Sequence, residues 1–82
     1  MNYLKVTSGY AVAERNIKSV AVYEGNKIIN KVKALKDSGK IDDLTRGRKI
    51  NTVIFLMNGE AIITNVNYET ILKRWDGIGR EG

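Results

Sequence analysis

The segment Asp43-Leu44-Thr45-Arg46-Gly47-Arg48-Lys49 gathers the side chains best able to hold an anion. An arginine fork matches two oxygens of a phosphate, or the O6 and N7 edge of guanine, and a lysine adds a compact positive charge. Gly47 frees the backbone to bring N–H groups close to such a ligand, and Thr45 offers a hydroxyl to phosphate. Bond-making chemistry has few parts to work with. The chain has no histidine and no cysteine, which removes the usual acid–base group, the commonest metal ligand and the thiolate nucleophile. Asp42-Asp43 is the one adjacent carboxylate pair, and neighbouring residues point different ways on a strand or a helix, which ill suits two-carboxylate catalysis. The expectation is a binding protein and not an enzyme, with no catalytic residue, no metal, no cofactor and no small-molecule substrate.

The charge has a location. Of the net +5, all lies in residues 27–49, where eight cations face three carboxylates, so the remainder of the chain is neutral. Such segregation favours a polyanion that exchanges its counterions for protein cations, and nucleic acid is the leading candidate. Lys31 and Lys36 are expected on the rim of the surface. An anionic membrane is a poor fit, because these lysines lack the bulky apolar face of an interfacial helix. Arg15 stands in a polar break beside Glu14, where a lone arginine serves either as an exposed partner to a carboxylate or as a ligand contact. Tyr10, Tyr23, Tyr68, Phe55 and Trp75 fall at packing positions and are assigned to structure rather than to base stacking. A basic run of this length also suits a loop that only keeps the protein soluble, and spacing alone does not choose.

Residues 2–23 alternate and are rich in β-branched and aromatic types, with punctuation at Ser8-Gly9 and Glu14-Arg15-Asn16, which predicts two or three short strands. Glu24-Gly25-Asn26 then supplies a break and a helix N-cap. Ile28, Ile29, Val32 and Leu35 repeat at the spacing of one helical face, predicting a helix over about Lys27–Ser38 that Gly39 stops. Residues 50–57 and 60–66 flank Asn58-Gly59, which predicts a hairpin with a two-residue type I′ turn. Thr52–Met57 is almost continuously apolar and is expected to be buried on both faces, or on one face with a subunit contact on the other. Asn67 caps a last helix over Tyr68–Trp75.

These elements make an α+β domain: a small antiparallel sheet, built from the N-terminal strands and the C-terminal hairpin, with two helices. A chain of 82 residues permits one domain, placed at residues 1–76, with 77–82 as a flexible tail. So short a chain buries only roughly 60% of its unfolded surface, which favours self-association. The absence of cysteine, of a signal-peptide-like run after Met1 and of any membrane-length apolar stretch points to the cytoplasm.

Asp43-x-Thr45-x-Gly47-Arg48-Lys49, the Val53-Ile54 strand, and Ile62-Ile63-x-x-Val66-x-x-Glu69-Thr70-Ile71-x-x-Arg74 together resemble the RemA-like extracellular-matrix regulators of Gram-positive bacteria. Ala13-Glu14-Arg15-Asn16-Ile17 is similar to that family's Ala-Asn-Arg-Met-Ile. The likeness spans about residues 9–75. It implies a nucleoid-associated regulator of transcription, acting on biofilm matrix genes, whose subunits close into a ring with arginines displayed outward so that double-stranded DNA can wrap. The family's DNA contacts fall on Arg15, Arg48 and Lys49. Three departures stand out: the family's Tyr-Gly-Arg-Arg reads Arg46-Gly47-Arg48-Lys49 here, its Gly-Phe-Gly-Asn is reduced to Gly9-Tyr10, and the spacing between Arg15 and the basic loop is offset by one residue. Two rival functions are an RNA-binding module using the same loop and an adaptor oligomer that binds a protein partner.

Overall fold

A computed structural model describes residues 2–78. The chain runs β1 (Tyr3–Thr7), β2 (Tyr10–Ala13), a one-turn 3-10 segment (Glu14–Asn16), β3 (Ile17–Val22), α1 (Asn26–Asp37), β4 (Ile41–Asp43), β5 (Thr52–Leu56), β6 (Ala61–Thr64) and α2 (Tyr68–Asp76). The α+β class with two helices is as expected, but the strands form two sheets. β1 and β2 make a separate antiparallel hairpin, and β3 joins the others in the order β3-β5-β6-β4. The single expected sheet divides because the 3-10 turn at Glu14–Asn16 redirects the chain between β2 and β3. The larger sheet is also mixed: α1 carries the chain from β3 across to the far edge, where β4 pairs with β6 in parallel.

β5 and β6 explain the layering. Both are buried along nearly their whole length, so each presents an apolar row to both faces of the sheet. On one face Ile54 and Ile62 meet Leu4, Val6, Ile17 and Ile71 from β1, β3 and α2, with Trp75 and Tyr10 packed around them. On the other, Val53, Phe55, Ala61 and Ile63 meet Val32 of α1, flanked by Ile28, Leu35 and Tyr23. The molecule is thus three layers deep, with α1 on one side and the β1–β2 hairpin plus α2 on the other. Thr52–Phe55 of the continuous apolar run are buried within one chain on both faces, while Met57 at its end is exposed. Tyr10, Phe55 and Trp75 serve packing, as expected.

Local signals shift by small amounts. α1 begins one residue early, at Asn26, and its N-cap is Gly25, which has no side chain to cap with. Its C-terminus closes as anticipated: Gly39, at a φ of 70°, donates to Lys36 while Lys40 donates to Leu35, the paired bonds of a Schellman cap. Asn67 caps α2 by accepting from the Glu69 amide at 2.8 Å. The hairpin loop is not the expected two-residue type I′ turn. Gly59 has a φ of 88°, whereas among the described residues Asn58 is not in the left-handed region. Leu56 donates to Glu60, and Asn58 uses its side-chain oxygen to accept from the Glu60 amide at 2.9 Å. The loop is therefore Met57-Asn58-Gly59, with glycine alone in the left-handed place, as in a three-residue hairpin. β4 has no counterpart among the expected elements, since Ile41-Asp42-Asp43 is too short and polar to signal a strand. Gly77 and Ile78, assigned to a tail, bond back to Lys73 and Trp75, and Ile78 packs on the core; residues 79–82 of that tail lie outside the described residues.

Ile54 is fully buried at the centre of β5. Ile54→Ala should cost about 2–5 kcal/mol, read as a lowered urea midpoint with an unchanged m-value.

Candidate nucleic-acid interface

The basic segment is a built turn. At the end of β4, one Asp43 oxygen accepts from the Thr45 amide at 2.8 Å and from the Thr45 hydroxyl at 2.6 Å. The Thr45 carbonyl accepts from the Arg48 amide at 3.0 Å, which closes a four-residue turn over Arg46 and Gly47. Both central residues have positive φ, 55° and 80°, the requirement of a type I′ turn. The turn chemistry expected at Asn58-Gly59 thus operates at Arg46-Gly47. Glycine takes this conformation freely; arginine does so at a cost of about 1–2 kcal/mol. The result is a tight projection on which Arg46, Gly47, Arg48 and Lys49 are all exposed.

The projection is anchored at both ends. Leu44 donates to Ile63, Asn51 donates to Thr64, and Tyr23 donates to Asn51. The Asn51 side-chain amide reaches the Asn65 carbonyl at 2.6 Å. The turn therefore moves with the sheet, which matters for a ligand whose binding would otherwise have to order a loop. Thr7, Thr45, Arg46, Arg48, Asn65 and Val66 line a shallow depression at its base. Thr7 and Asn65 carried no signal in the sequence, because strand ends remote from residue 46 bring them there.

Thr45 requires correction. It is 3% exposed, and its single hydroxyl proton is given to Asp43, so it shapes the turn and does not offer a phosphate contact. The two rim lysines separate. Lys36 lines a groove with Lys33 and Ile50, next to the basic segment, and its charge helps stabilise the Asp43 carboxylate. Lys31 instead sits with its ammonium 4.5 Å from the ring centre of Phe55, a cation–π contact that occupies it. Arg15, exposed in the 3-10 turn, enters β3, and Ile17 pairs with Leu56 while Val22 pairs with Thr52. The basic turn precedes Thr52. Arg15 and the turn thus lie at opposite ends of β5, about 17 Å apart at ~3.4 Å per residue, and the structure does not bring them together.

The carboxylate pair is occupied with structure. Asp42 accepts from the Tyr10 hydroxyl at 3.0 Å; burial, and then this bond and the nearby charge of Asp42, raise the Tyr10 phenol above its ordinary range. Asp43 is held below the usual aspartate range, first by the Thr45 hydroxyl and then by the Thr45 amide. Among the described residues no group of three or more acids could hold a metal ion, and no helix is long and apolar enough to cross a membrane.

The domain is thus a small layered α+β fold that shows an anchored arginine-bearing turn, with Asp42 and Asp43 held in hydrogen bonds beside it. The chain belongs to the RemA-like family: the profile described as extracellular matrix regulatory protein A-like matches residues 3–75, from β1 through nearly all of α2. This is a regulatory family and not an enzymatic one. Comparison with individual curated proteins returns no match, so the assignment rests on the family pattern.

Because the folded Asp43 carboxyl is more acidic than an ordinary aspartate, its contribution to stability is complete above the ordinary aspartate range and is lost as pH falls through the lowered folded value. Asp43→Asn keeps an acceptor for Thr45 but cannot titrate, so urea midpoints measured across the acid range should fall less steeply for the variant than for the parent.

Proposed function

We propose that this chain is a double-stranded-DNA-binding regulator of transcription that works as a homo-oligomer, with Arg46, Gly47, Arg48 and Lys49 on the DNA-facing surface. The observation that carries this reading is the type I′ turn. It spends conformational strain at Arg46 to hold two guanidinium groups and a lysine on an anchored projection, and strain of this kind gathers where a site must be pre-organised. Lys36 adds to the rim from α1. Arg48 keeps a fork for phosphate or guanine, whereas Lys49 supplies charge without one, so backbone contacts and DNA shape outweigh base reading.

A few cations per subunit give modest affinity. Repeating the turn around a closed ring multiplies the contacts along one duplex, and linked sites raise avidity with no new kind of contact. Self-association is supported by the small core and by apolar surface left open: Met57 is 65% exposed, and Leu72, Trp75 and Ile78 line a groove beside Glu14. The family description points to matrix genes as the targets, which would place the protein on the nucleoid in the cytoplasm. Family membership and the Arg48 fork, which can read guanine in a B-form major groove, favour DNA over RNA or a protein ligand.

A salt series on a promoter-length duplex tests this. Wild type should bind with a steep log–log dependence on salt. Arg48→Ala should weaken binding and flatten the slope by about 0.9 for each phosphate that it no longer neutralises, with the oligomer intact. Equal, weak binding by both proteins would reduce the turn to a solubilising loop.

A further inference from the structure

Outside residues 27–49 the sequence is electrically neutral, yet folding sorts that neutral remainder. In β1, Leu4 and Val6 are fully buried, so Tyr3 and Lys5 share the opposite, outward face, while a bulge after Lys5 re-aims Thr7, which pairs with Tyr10. The partner strand is low there: Lys5 pairs with Ala11 and Tyr3 with Ala13. On the other flank, β1 and the end of α2 bound an open groove that includes Tyr3, Lys5, Lys73, Arg74 and Gly77 and has no carboxylate in its lining among the described residues. Arg74 fixes the two walls together, donating from Nη1 to the carbonyls of Lys5 at 3.2 Å and Val6 at 3.0 Å. The charges of Lys5 and Lys73 are left to face outward, both being exposed. Lys73 also borders Glu69 and Asp76 on the far flank of α2, so Lys5 carries the larger share.

The two ends of β1 meet the two places that the fold holds apart. At one end Thr7 lines the depression with Arg46 and Arg48. At the other, the Asn2 carbonyl accepts from the Glu14 amide at 2.9 Å, one residue from Arg15. We infer that the outer face of β1, with Lys5 and Lys73, is a phosphate-binding track that joins Arg15 to the Arg46–Arg48 turn, so that one DNA backbone is gripped along the whole strand. Five residues of β1 span about 17 Å, a length that consecutive phosphates of one strand can follow. The alanines of β2 leave room for the backbone to approach. The inference rests on the DNA-binding reading and adds a grip that the turn alone does not provide.

The test compares four full-length proteins on the same duplex across salt: wild type, Arg48→Ala, Lys5→Ala/Lys73→Ala and Lys5→Arg/Lys73→Arg, with folding checked by circular dichroism. The double alanine variant should lose affinity and flatten the log–log slope by about 1.8 per engaged subunit, from ~0.9 per contact, while the double arginine variant keeps the wild-type slope. Should Arg48→Ala weaken binding and the double alanine variant match wild type, the track is wrong and the turn stands. A double arginine variant as weak as the alanine one would mean that the lysines act through structure, which also overturns the track. Binding unmoved by any substitution would remove the DNA reading and the track with it.

Discussion

Burial of both faces of β5 and β6 is the constraint from which the other features follow. Thr52 and Val53-Ile54-Phe55, with Ala61-Ile62-Ile63 and Thr64, leave no side of the central pair that can stay in water. α1 must therefore lie on one face, and α2 with the β1–β2 hairpin on the other. The buried hydroxyls fit this environment because they are bonded: Thr52 donates to the Val66 carbonyl at 2.7 Å and Thr64 accepts from the Val66 amide at 3.2 Å. These bonds also fix the path out of β6 toward α2. A chain this short has little surplus burial to distribute, and most of it goes to one central ribbon.

The position of the basic turn is a by-product of that arrangement. α1 crosses the sheet and delivers the chain to β4 beside β6, but β5 must start on the other side of β6, beside β3. Residues 44–51 make that passage, and the Asp43–Thr45 bonds and the type I′ turn let it be made without a long mobile loop. An exposed segment with four consecutive polar or glycine residues is ordinarily among the least stable parts of a domain. Here bonds to Ile63, Thr64 and Asn65 tie it to the most buried strand of the sheet.

Much of this was legible in the sequence where a signal is local and periodic. The face of α1 could be read from Ile28, Val32 and Leu35, the cap of α2 from Asn67, and the hairpin from two apolar runs around a turn dipeptide. The concentration of cations marked residues 46–49 without any structure. What escaped depends on contacts between distant segments. Three residues of β4 form a strand because β6 offers a partner, not because Ile41-Asp42-Asp43 prefers one. The pair of positive φ angles settled on Arg46-Gly47, whereas at Asn58-Gly59 only the glycine has one and Asn58 accepts from Glu60 instead. Thr45 looked like a phosphate ligand because sequence does not show that Asp43 takes its proton. Arg15 lies far from the turn because β3 and β5 are antiparallel, which its position in the chain does not reveal.

The pairing of β3 with β5 has a kinetic side. Ile17 finds Leu56 and Val22 finds Thr52 only across α1, β4 and the basic segment, and the parallel β4–β6 pair closes across the basic segment and β5. Such distant pairings place a domain on the slow side of two-state folding, because chain closure precedes the contacts that compensate it. The turn at Arg46-Gly47 is bounded by these pairings on both sides, so its place on the sheet depends on them. A newly made or partly unfolded chain carries the same cations as the native one, but as a loose polyelectrolyte; the ordered display of arginines is a property of the finished sheet.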